Sequence, residues 1–203
     1  MINRKIFFDK YRAELDKDNK LTPKEVSDLD MFLDFVDGSI GLLQMNQWAY
    51  VFATAFHETF HTFAPIKEIG GYSYFMRMYD VTGSRPQLAK KNGNIYKGDG
   101  AKYFGRGYVQ ITWRSNYAVY SRVLGIDLIN NPDLALVPKY AFKILVDGFI
   151  NGRFTGKKIS DYINKNASDY VNARRCINGT DKASLIASYA RIFENILRSS
   201  IIR

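Results

Sequence analysis

Proline and glycine interrupt the middle of the chain too often for a long helix or strand to form there. Eight of them fall between Thr62 and Gly105: Pro65, Gly70, Gly71, Gly83, Pro86, Gly93, Gly98 and Gly100. Proline removes a backbone hydrogen-bond donor, and glycine loses the most conformational freedom on folding, so both end regular structure. An irregular segment of about 40 residues in a compact domain usually carries function. We therefore expect functional residues in this segment.

Apolar residues with helical spacing flank this segment on both sides. Between Val26 and Val36 they recur at intervals of three and four residues, which is typical of an amphipathic helix. Thr22 and Glu25 form a capping box before it, with Pro23 at the first helical position. The patterns predict helices over 6–15, 26–36, 44–57, 113–124, 139–149, 159–164, 170–177 and 183–198, and a short strand over 108–112. The predicted fold is mainly α, with at most a small β element.

Composition narrows the class of protein. The chain has 203 residues, 46% hydrophobic and 24% charged, which is typical of a soluble globular domain. No run approaches the roughly 20 apolar residues of a membrane span, and the first residues lack the apolar core of a signal peptide. The single cysteine, Cys176, excludes an internal disulfide and a cysteine-based zinc site. The net charge of +9 favours an anionic partner: nucleic acid, anionic lipid or a cell-wall polymer.

An acidic window near the N-terminus imitates a calcium-binding loop. Glu14, Asp16, Asp18 and Glu25 fall at positions 1, 3, 5 and 12 of an EF-hand pattern. Position 1 is glutamate rather than aspartate, and Asn19 replaces the glycine at position 6. We therefore predict a solvated loop before a capped helix, and no metal or other cofactor.

The sequence His57-Glu58-Thr59-Phe60-His61 matches the H-E-x-x-H pattern of zinc hydrolases. On one helix, both histidines would share a face and bind zinc, with Glu58 as general base. No third histidine exists, so a carboxylate such as Glu68 would complete the site. Pro65 predicts a helix end near Thr62, which weakens this interpretation. A zinc metallopeptidase acting on cell-wall peptides is the alternative function.

A second interpretation makes Glu58 a general acid. It lies seven residues after Val51, about 20° away on a helix and at the edge of the apolar stripe. Partial burial there would raise its pKa and keep it protonated. Pro65 lets the chain fold back and bring Glu68 to roughly 6.5–9.5 Å, the carboxylate spacing of inverting glycosidases. The competing interpretation of Glu68 is a surface carboxylate paired with Lys67.

The stretch from Tyr103 to Trp113, YFGRGYVQITW, is the most unusual in the chain. Alternation with apolar neighbours predicts that Gln110 and Thr112 lie on one face of an extended segment. An amide beside a hydroxyl can bind sugar hydroxyls and position a water molecule. The glycines here do not form a phosphate loop, because no Gly-Lys-Ser/Thr sequence follows.

Five blocks carry a resemblance to a known family: Ala53–Thr59 (ATAFHET), Pro65–Glu68 (PIKE), Tyr103–Trp113 with Asn116 and Tyr117, Asn130–Ala135 (NNPDLA) and Ile177–Asp181 (INGTD). Their order and approximate spacing resemble the chitinase-type lysozymes of glycoside hydrolase family 19. The resemblance runs from about Trp48 to Arg198 and is greatest to the phage and prophage branch, whose members serve as endolysins. It implies a lysozyme-like fold with two helical lobes around a substrate groove. It also implies hydrolysis of a β-1,4 bond between N-acetylated amino sugars, by inversion and without a metal.

The resemblance also implies roles for individual residues. Glu58 matches the family's general acid, and Glu68 matches the second glutamate of the phage branch, the general base. The plant spacing places the second carboxylate at Asp80, so the choice between Glu68 and Asp80 stays open. Thr112 matches the water-positioning residue. The predicted substrate-binding residues are Gln110, Asn116, Asn178, Tyr103 and Arg106.

Together these inferences predict a peptidoglycan-degrading endolysin. Residues 1–43 would form an N-terminal helical segment, and residues 44–203 the catalytic domain. The expected partner is the peptidoglycan glycan strand, without nucleic-acid binding or membrane insertion, and the expected state is a monomer. Without a signal peptide, the enzyme would be made in the host cytoplasm and reach the wall through a holin or another export route.

Overall fold

Helices dominate the structure, a computed structural model that describes residues 1–202. They are α1 (Arg4–Leu15), α2 (Pro23–Asp37), α3 (Met45–Glu58), α4 (Tyr72–Tyr79), α5 (Pro86–Lys91), α6 (Asp99–Lys102), α7 (Arg114–Leu124), α8 (Pro138–Asn151) and α9 (Ala183–Ser200). Strands β1 (Ile66–Lys67) and β2 (Arg106–Gly107) pair antiparallel, with Ile66 opposite Gly107. The predicted mainly α fold with a small β element is confirmed. No helix within residues 1–202 is long and apolar enough to cross a membrane.

The chain forms two compact units. The first consists of Met1–Ala64 and Leu145–Arg203 and holds α1, α2, α3 and α9. The second consists of Pro65–Ile144 and holds α4 to α7 and both strands. The chain leaves the first unit at Pro65, where the sequence predicts a break, and returns to it within α8. The expected division into an N-terminal helical segment, residues 1–43, and a catalytic domain, residues 44–203, stays a prediction.

Helix α3 forms the centre of the first unit. Every side chain from Asn46 to Phe56 is buried, and the helix packs along α9. The ring of Phe52 lies 5.0 Å from Phe32 and 5.4 Å from Phe193, centroid to centroid. Because α3 is buried on all sides, its ends are the places where it can present polar groups.

The N-terminal helices begin and end where side chains cap them. Thr22 Oγ1 accepts a hydrogen bond from Glu25 N (3.2 Å), and Glu25 Oε2 accepts one from Thr22 N (2.8 Å), so the predicted capping box is confirmed. In the loop before it, Asp16 Oδ1 accepts a hydrogen bond from Lys20 N at 2.7 Å. The EF-hand-like carboxylates therefore stabilise the turn and the helix start.

Three sequence predictions of regular structure are wrong. Residues 108–112 form a tight turn instead of a strand, closed by hydrogen bonds between Arg106 and Ile111 (3.0 and 3.2 Å). Gln110 has a φ angle of +52°, which an extended strand does not allow. Residues 159–164 and 170–177 contain only short 3₁₀ helices, Ile159–Asp161 and Asn172–Cys176, rather than α-helices.

The middle segment is built from short helices joined by turns. Helices α4, α5 and α6 have eight, six and four residues. Their brevity follows from the glycines and prolines between them. A fourth short element, the 3₁₀ helix Pro132–Leu136, packs against β2.

Candidate active site

Helix α3 ends at Glu58, one residue after the end that the apolar pattern predicts and before the end near Thr62 that Pro65 alone predicts. The side chain of Thr59 takes the place of the hydrogen bonds that would continue the helix. Its Oγ1 donates a hydrogen bond to Ala55 O (2.8 Å) and accepts one from Phe63 N (3.0 Å). Phe60 and His61 then adopt positive φ angles of +52° and +71°. Glu58 is thus the last residue of a buried helix, at a sharp turn of the chain.

This turn removes the helical geometry that the zinc interpretation requires. The His61 ring stacks on Phe56 at 3.9 Å, so it packs back on the helix that carries His57. Burial is the main cause that lowers the pKa of both histidines below the usual value. Within residues 1–202, no group of three or more His, Cys, Asp or Glu side chains could hold a metal ion. The zinc alternative requires both histidines on one helical face, and the structure contradicts that requirement.

A buried arginine holds the carboxylate of Glu58. Arg174 Nη1 donates to Glu58 Oε1 at 2.6 Å, and the two side chains are 4% and 19% exposed. Arg174 Nε also donates to Asp181 O at 3.0 Å. The position of Glu58 is thereby fixed through a residue 116 positions away in the sequence. Within residues 1–202, no protein group hydrogen-bonds to Glu58 Oε2.

Asn178 lies in the segment that positions this arginine. Its backbone N donates to Arg174 O at 3.0 Å, and Asp181 is three residues further on. The INGTD block and Glu58 therefore come together through Arg174. Sequence analysis missed Arg174, because it lies outside the blocks that carry the resemblance. Its neighbours, Asn172 and Arg175 among them, are too polar to mark this arginine as buried.

In the second unit, Glu68 directly follows β1 and is held by two hydrogen bonds. Tyr79 donates its hydroxyl to Glu68 Oε1 at 2.6 Å, and Gly105 N donates to Oε2 at 3.0 Å. Lys67 binds Asp133 Oδ2 at 2.8 Å instead of Glu68. The interpretation of Glu68 as a surface partner of Lys67 is wrong.

Gln110 approaches the same backbone position as Glu68. Its Nε2 donates to the carbonyls of Ile66 and Gly107, each at 3.0 Å, which fixes the orientation of the amide. A Cβ atom on Gly105 would lie 2.8 Å from Gln110 Oε1 and 3.0 Å from Glu68 Oε2. The two acceptors therefore converge beside Gly105. Oε1 of Gln110 is buried and has no partner within residues 1–202.

The remaining predicted residues of this motif extend the network. Thr112 Oγ1 donates to Gln110 O at 2.9 Å, and Asn116 Nδ2 donates to Thr112 O at 2.7 Å. The second unit thus brings Glu68, Gln110, Thr112 and Asn116 together. These side chains come together because the chain turns back at Gln110, where φ is positive, instead of continuing as an extended strand.

Comparison with known families identifies the kind of chain that carries these residues. A family model described as chitinase class I of glycoside hydrolase family 19 matches residues 35–150, more than half of the chain. The chain belongs to glycoside hydrolase family 19. The match includes Glu58, Glu68, Gln110, Thr112 and Asn116, whereas Arg174 and Asn178 lie beyond it.

Individual relatives of this family 19 chain are similar over shorter stretches. Endochitinase 1 of Theobroma cacao is 53% identical over 45 residues, which cover 22% of this chain and 14% of the relative. Endochitinase B of Nicotiana tabacum is 38% identical over 96 residues, which cover 47% of this chain and 29% of the relative. The matches thus span less than a third of either curated relative. Chitinase C from Streptomyces griseus HUT6037 shares the fold, with a TM-score of 0.58, 21% identity, and coverage of 98% of this chain and 93% of that one.

In this family 19 chain, Asp80 serves a structural purpose. It is buried, and its carboxylate accepts hydrogen bonds from Thr82 N (3.0 Å), Thr82 Oγ1 (2.7 Å), Gly98 N (2.8 Å) and Gly100 N (3.0 Å). Burial alone would raise the pKa of Asp80, but these hydrogen bonds lower it below the ordinary value. Both oxygens are committed to holding the segment before α6.

The polar groups of Tyr103 and Arg106 also form hydrogen bonds within the protein. Tyr103 is buried and donates to Ile129 O at 3.1 Å. Arg106 Nε pairs with Asp133 Oδ1 at 2.7 Å, and its Nη1 donates to Tyr117 Oη at 2.9 Å. Arg106 also lines a cavity of about 770 Å³ in the second unit. Both residues support the YFGRG turn, and their substrate-binding role stays a prediction.

Proposed function

We propose that this family 19 protein is a glycoside hydrolase that cleaves β-1,4 bonds between N-acetylated amino sugars, with inversion at the anomeric carbon. The observation that carries the proposal is the Glu58–Arg174 pair at the end of α3. An acidic side chain held in a fixed orientation at a helix end, with one oxygen free of protein partners, suits a general acid.

In the proposed reaction, Glu58 donates a proton from Oε2 to the glycosidic oxygen. The bond between that oxygen and the anomeric carbon breaks, and Arg174 stabilises the negative charge left on Glu58. Glu68 accepts a proton from a water molecule, whose oxygen forms the new bond to the anomeric carbon from the opposite face. Each Glu68 oxygen accepts one protein hydrogen bond and retains a lone pair for water. Thr112 would orient that water, and Gln110, Asn116 and Asn178 would bind the sugars.

We further propose peptidoglycan as the polymer and a phage-type endolysin as the biological role. The net charge of +9 supports this, because cell-wall peptides and envelope polymers carry carboxylates and phosphates, whereas chitin is uncharged. The PIKE block supports it by resembling the phage branch. The protein would act as a monomer and reach the wall from the host cytoplasm through a holin or another export route. Residues 1–43 would be accessory to a catalytic domain at 44–203.

Glu58→Gln tests the assignment of the acid. The amide keeps the shape and the contact to Arg174 but cannot transfer the proton. We expect the release of reducing ends from purified peptidoglycan to fall by roughly 10²–10⁴-fold, the usual contribution of acid–base catalysis. Circular dichroism should be unchanged, and a chelator should not affect the wild-type rate. Wild-type turnover by a folded Glu58→Gln protein would contradict the assignment.

A parallel assay decides the polymer. Peptidoglycan and chitin oligosaccharides are incubated with the same enzyme, and the anomer released first is read by NMR. We expect faster cleavage of peptidoglycan and initial release of the α-anomer. If only chitin is cleaved, the assignment as a glycosidase stands and the endolysin proposal is overturned.

A further inference from the structure

The first unit contains a cavity of about 570 Å³ beside the segment that carries Glu58. Its walls are the end of α1, the loop before α2 and the turn after α3. Phe56, Phe60 and His61 line it, and they flank Glu58 in the sequence. These three lining residues lie within three positions of Glu58 in the chain.

Tyr11 gives the cavity a polar group without a protein partner. The residue is 2% exposed, and its ring packs against Phe7 and Phe193, each at 6.2 Å. Within residues 1–202, nothing hydrogen-bonds to its hydroxyl. Burial, and next the carboxylates of Asp16 and Glu25, raise the pKa of Tyr11, so the hydroxyl stays protonated near two acidic groups of the same cavity. The ring is buried, whereas the hydroxyl opens onto the cavity, so a ligand bound there can hydrogen-bond to it.

The charge of the cavity is opposite to that of the whole chain. Four carboxylates line it, from Glu14, Asp16, Asp18 and Glu25, against the two ammonium groups of Lys17 and Lys20. Lys20 pairs with Asp18 at 2.8 Å, whereas Glu14 forms no ion pair within residues 1–202. His61 adds no positive charge at neutral pH, because burial lowers its pKa. In a protein of net charge +9, the lining of this cavity carries more carboxylates than ammonium groups, which favours a cation.

An aromatic ring makes the site more suitable for an organic cation than for a metal. Phe60 lines the cavity, is 67% exposed and sits at a positive φ of +52°. Aromatic faces attract ammonium groups. The cavity carboxylates do not form a metal-binding cluster.

We propose that this cavity binds a primary alkylammonium group, the side-chain amine of a diamino acid in the peptide stem of peptidoglycan. The proposal rests on the proposed function, because it places the stem beside the sugar that is bound at Glu58. It adds a reason for specificity: chitin carries no such cation. A de-N-acetylated amino sugar would offer the same chemistry from the glycan itself.

The decisive experiment measures binding of the Glu58→Gln protein to insoluble peptidoglycan by co-sedimentation. One wall sample keeps its free amines, and in the other they are acetylated. Acetylation makes the wall more negative, so the overall charge of the protein predicts tighter binding to the acetylated sample. The cavity predicts the opposite, with binding weakened about three- to tenfold. Equal or tighter binding to the acetylated wall overturns the proposal.

Variants locate the effect in the cavity. Tyr11→Phe and Glu14→Gln, each added to Glu58→Gln, should lose most of the difference between the two walls. Asp9→Asn is the matched control, since Asp9 is also on α1, loses the same charge, and pairs with Lys5 outside the cavity. It should keep the full difference. Loss of the difference in Asp9→Asn, or its retention in Glu14→Gln, contradicts the site.

Two further measurements are needed. One distinguishes an amine of the peptide stem from an amine of the glycan, and the other distinguishes failure of the cavity proposal from failure of the proposed function. Glycan strands without peptide stems should bind equally well before and after acetylation. A persisting effect on these strands would overturn the assignment to the stem. If the enzyme with Glu58 intact fails to cleave peptidoglycan while the amine-dependent binding remains, the proposed function fails and the binding of the amine in the cavity stands without it.

Discussion

At the scale of single residues, Gly105 allows two side chains of the proposed site to approach the backbone. An added Cβ would lie within 3.0 Å of Gln110 Oε1 and Glu68 Oε2. We expect Gly105→Ala to displace both groups, lower turnover by about tenfold or more and cost about 1–3 kcal/mol of stability. Initial rates and urea unfolding measure the two effects.

The matched control for that substitution is Gly71→Ala. Gly71 lies in the same unit, has an ordinary φ of −107°, and an added Cβ there meets nothing within 4 Å. Its rate and stability should stay close to those of the wild type. Equal rates for the two variants would show that Glu68 and Gln110 do not need their present positions.

Cys176 illustrates a residue whose environment removes its reactivity. It is fully buried, and burial raises the pKa of its thiol to about 12. We expect no reaction with a thiol reagent at pH 8 in the native protein, and one thiol per chain in urea. Rapid labelling of the native protein would mean that this part of the first unit opens readily.

The pair of Glu58 and Arg174 marks the limit of prediction at this scale. The sequence predicts Glu58 as a candidate general acid, because the residues that define its place on the helix are close to it in the chain. Arg174 lies 116 residues away, and no local periodicity connects the two. Arg174 lies in the 3₁₀ helix Asn172–Cys176, and contacts of this range depend on tertiary packing, which a single sequence does not encode as a pattern.

At the scale of elements, long helices with one apolar stripe are predicted well. The boundaries of α2, α3, α7, α8 and α9 fall within a few residues of those expected. Short elements are predicted poorly, because one side chain or one glycine decides them. The Thr59 hydroxyl ends α3, and the positive φ of Gln110 turns an alternating sequence into a loop. Alternation of polar and apolar residues is therefore not sufficient evidence for a strand.

The capping box of α2 gives an element-scale prediction. Thr22→Ala removes the acceptor for Glu25 N and should lower the free energy of unfolding by about 0.5–2 kcal/mol. Urea unfolding followed by circular dichroism measures the change. Thr180→Ala is the control, since Thr180 is exposed and its side chain makes no hydrogen bond within residues 1–202. Equal losses in both variants would indicate a general effect of losing threonine.

At the scale of the whole molecule, the two proposed carboxylates belong to different compact units. Glu58 lies in the first and Glu68 in the second, and the chain crosses at Pro65 between them. The sequence predicts that break from the proline alone. It does not predict that residues after 144 return to the first unit, because that depends on long-range packing. The predicted substrate groove stays a prediction.

The last prediction compares Glu68 with Asp80, the two candidates for the general base. Glu68 has lone pairs left for a water molecule, so Glu68→Ala should lower kcat by roughly 10²–10⁴-fold. It should cost less stability than Asp80→Ala, because two donors lose their partner instead of four. Asp80 uses both oxygens for hydrogen bonds to Thr82, Gly98 and Gly100. Asp80→Ala should lower stability by about 3 kcal/mol or more, because buried donors lose their partners, while folded molecules keep near-normal turnover.

The measurement is the initial rate per folded molecule at a temperature where both variants are folded, together with the melting temperature of each. Azide or formate should partly restore the activity of Glu68→Ala, since a small anion can occupy the space of the lost carboxylate. Neither ion should affect the activity of Asp80→Ala.

The pH dependence of stability provides an independent test of the role of Asp80. The pKa of Asp80 is lowered by folding, so its contribution to stability is present above the unfolded pKa and is lost as the pH falls through the folded one. Wild-type stability should therefore fall more steeply in acid than that of Asp80→Ala. A folded but inactive Asp80→Ala beside an active Glu68→Ala would reverse the assignment, because the plant-like spacing would then identify the base.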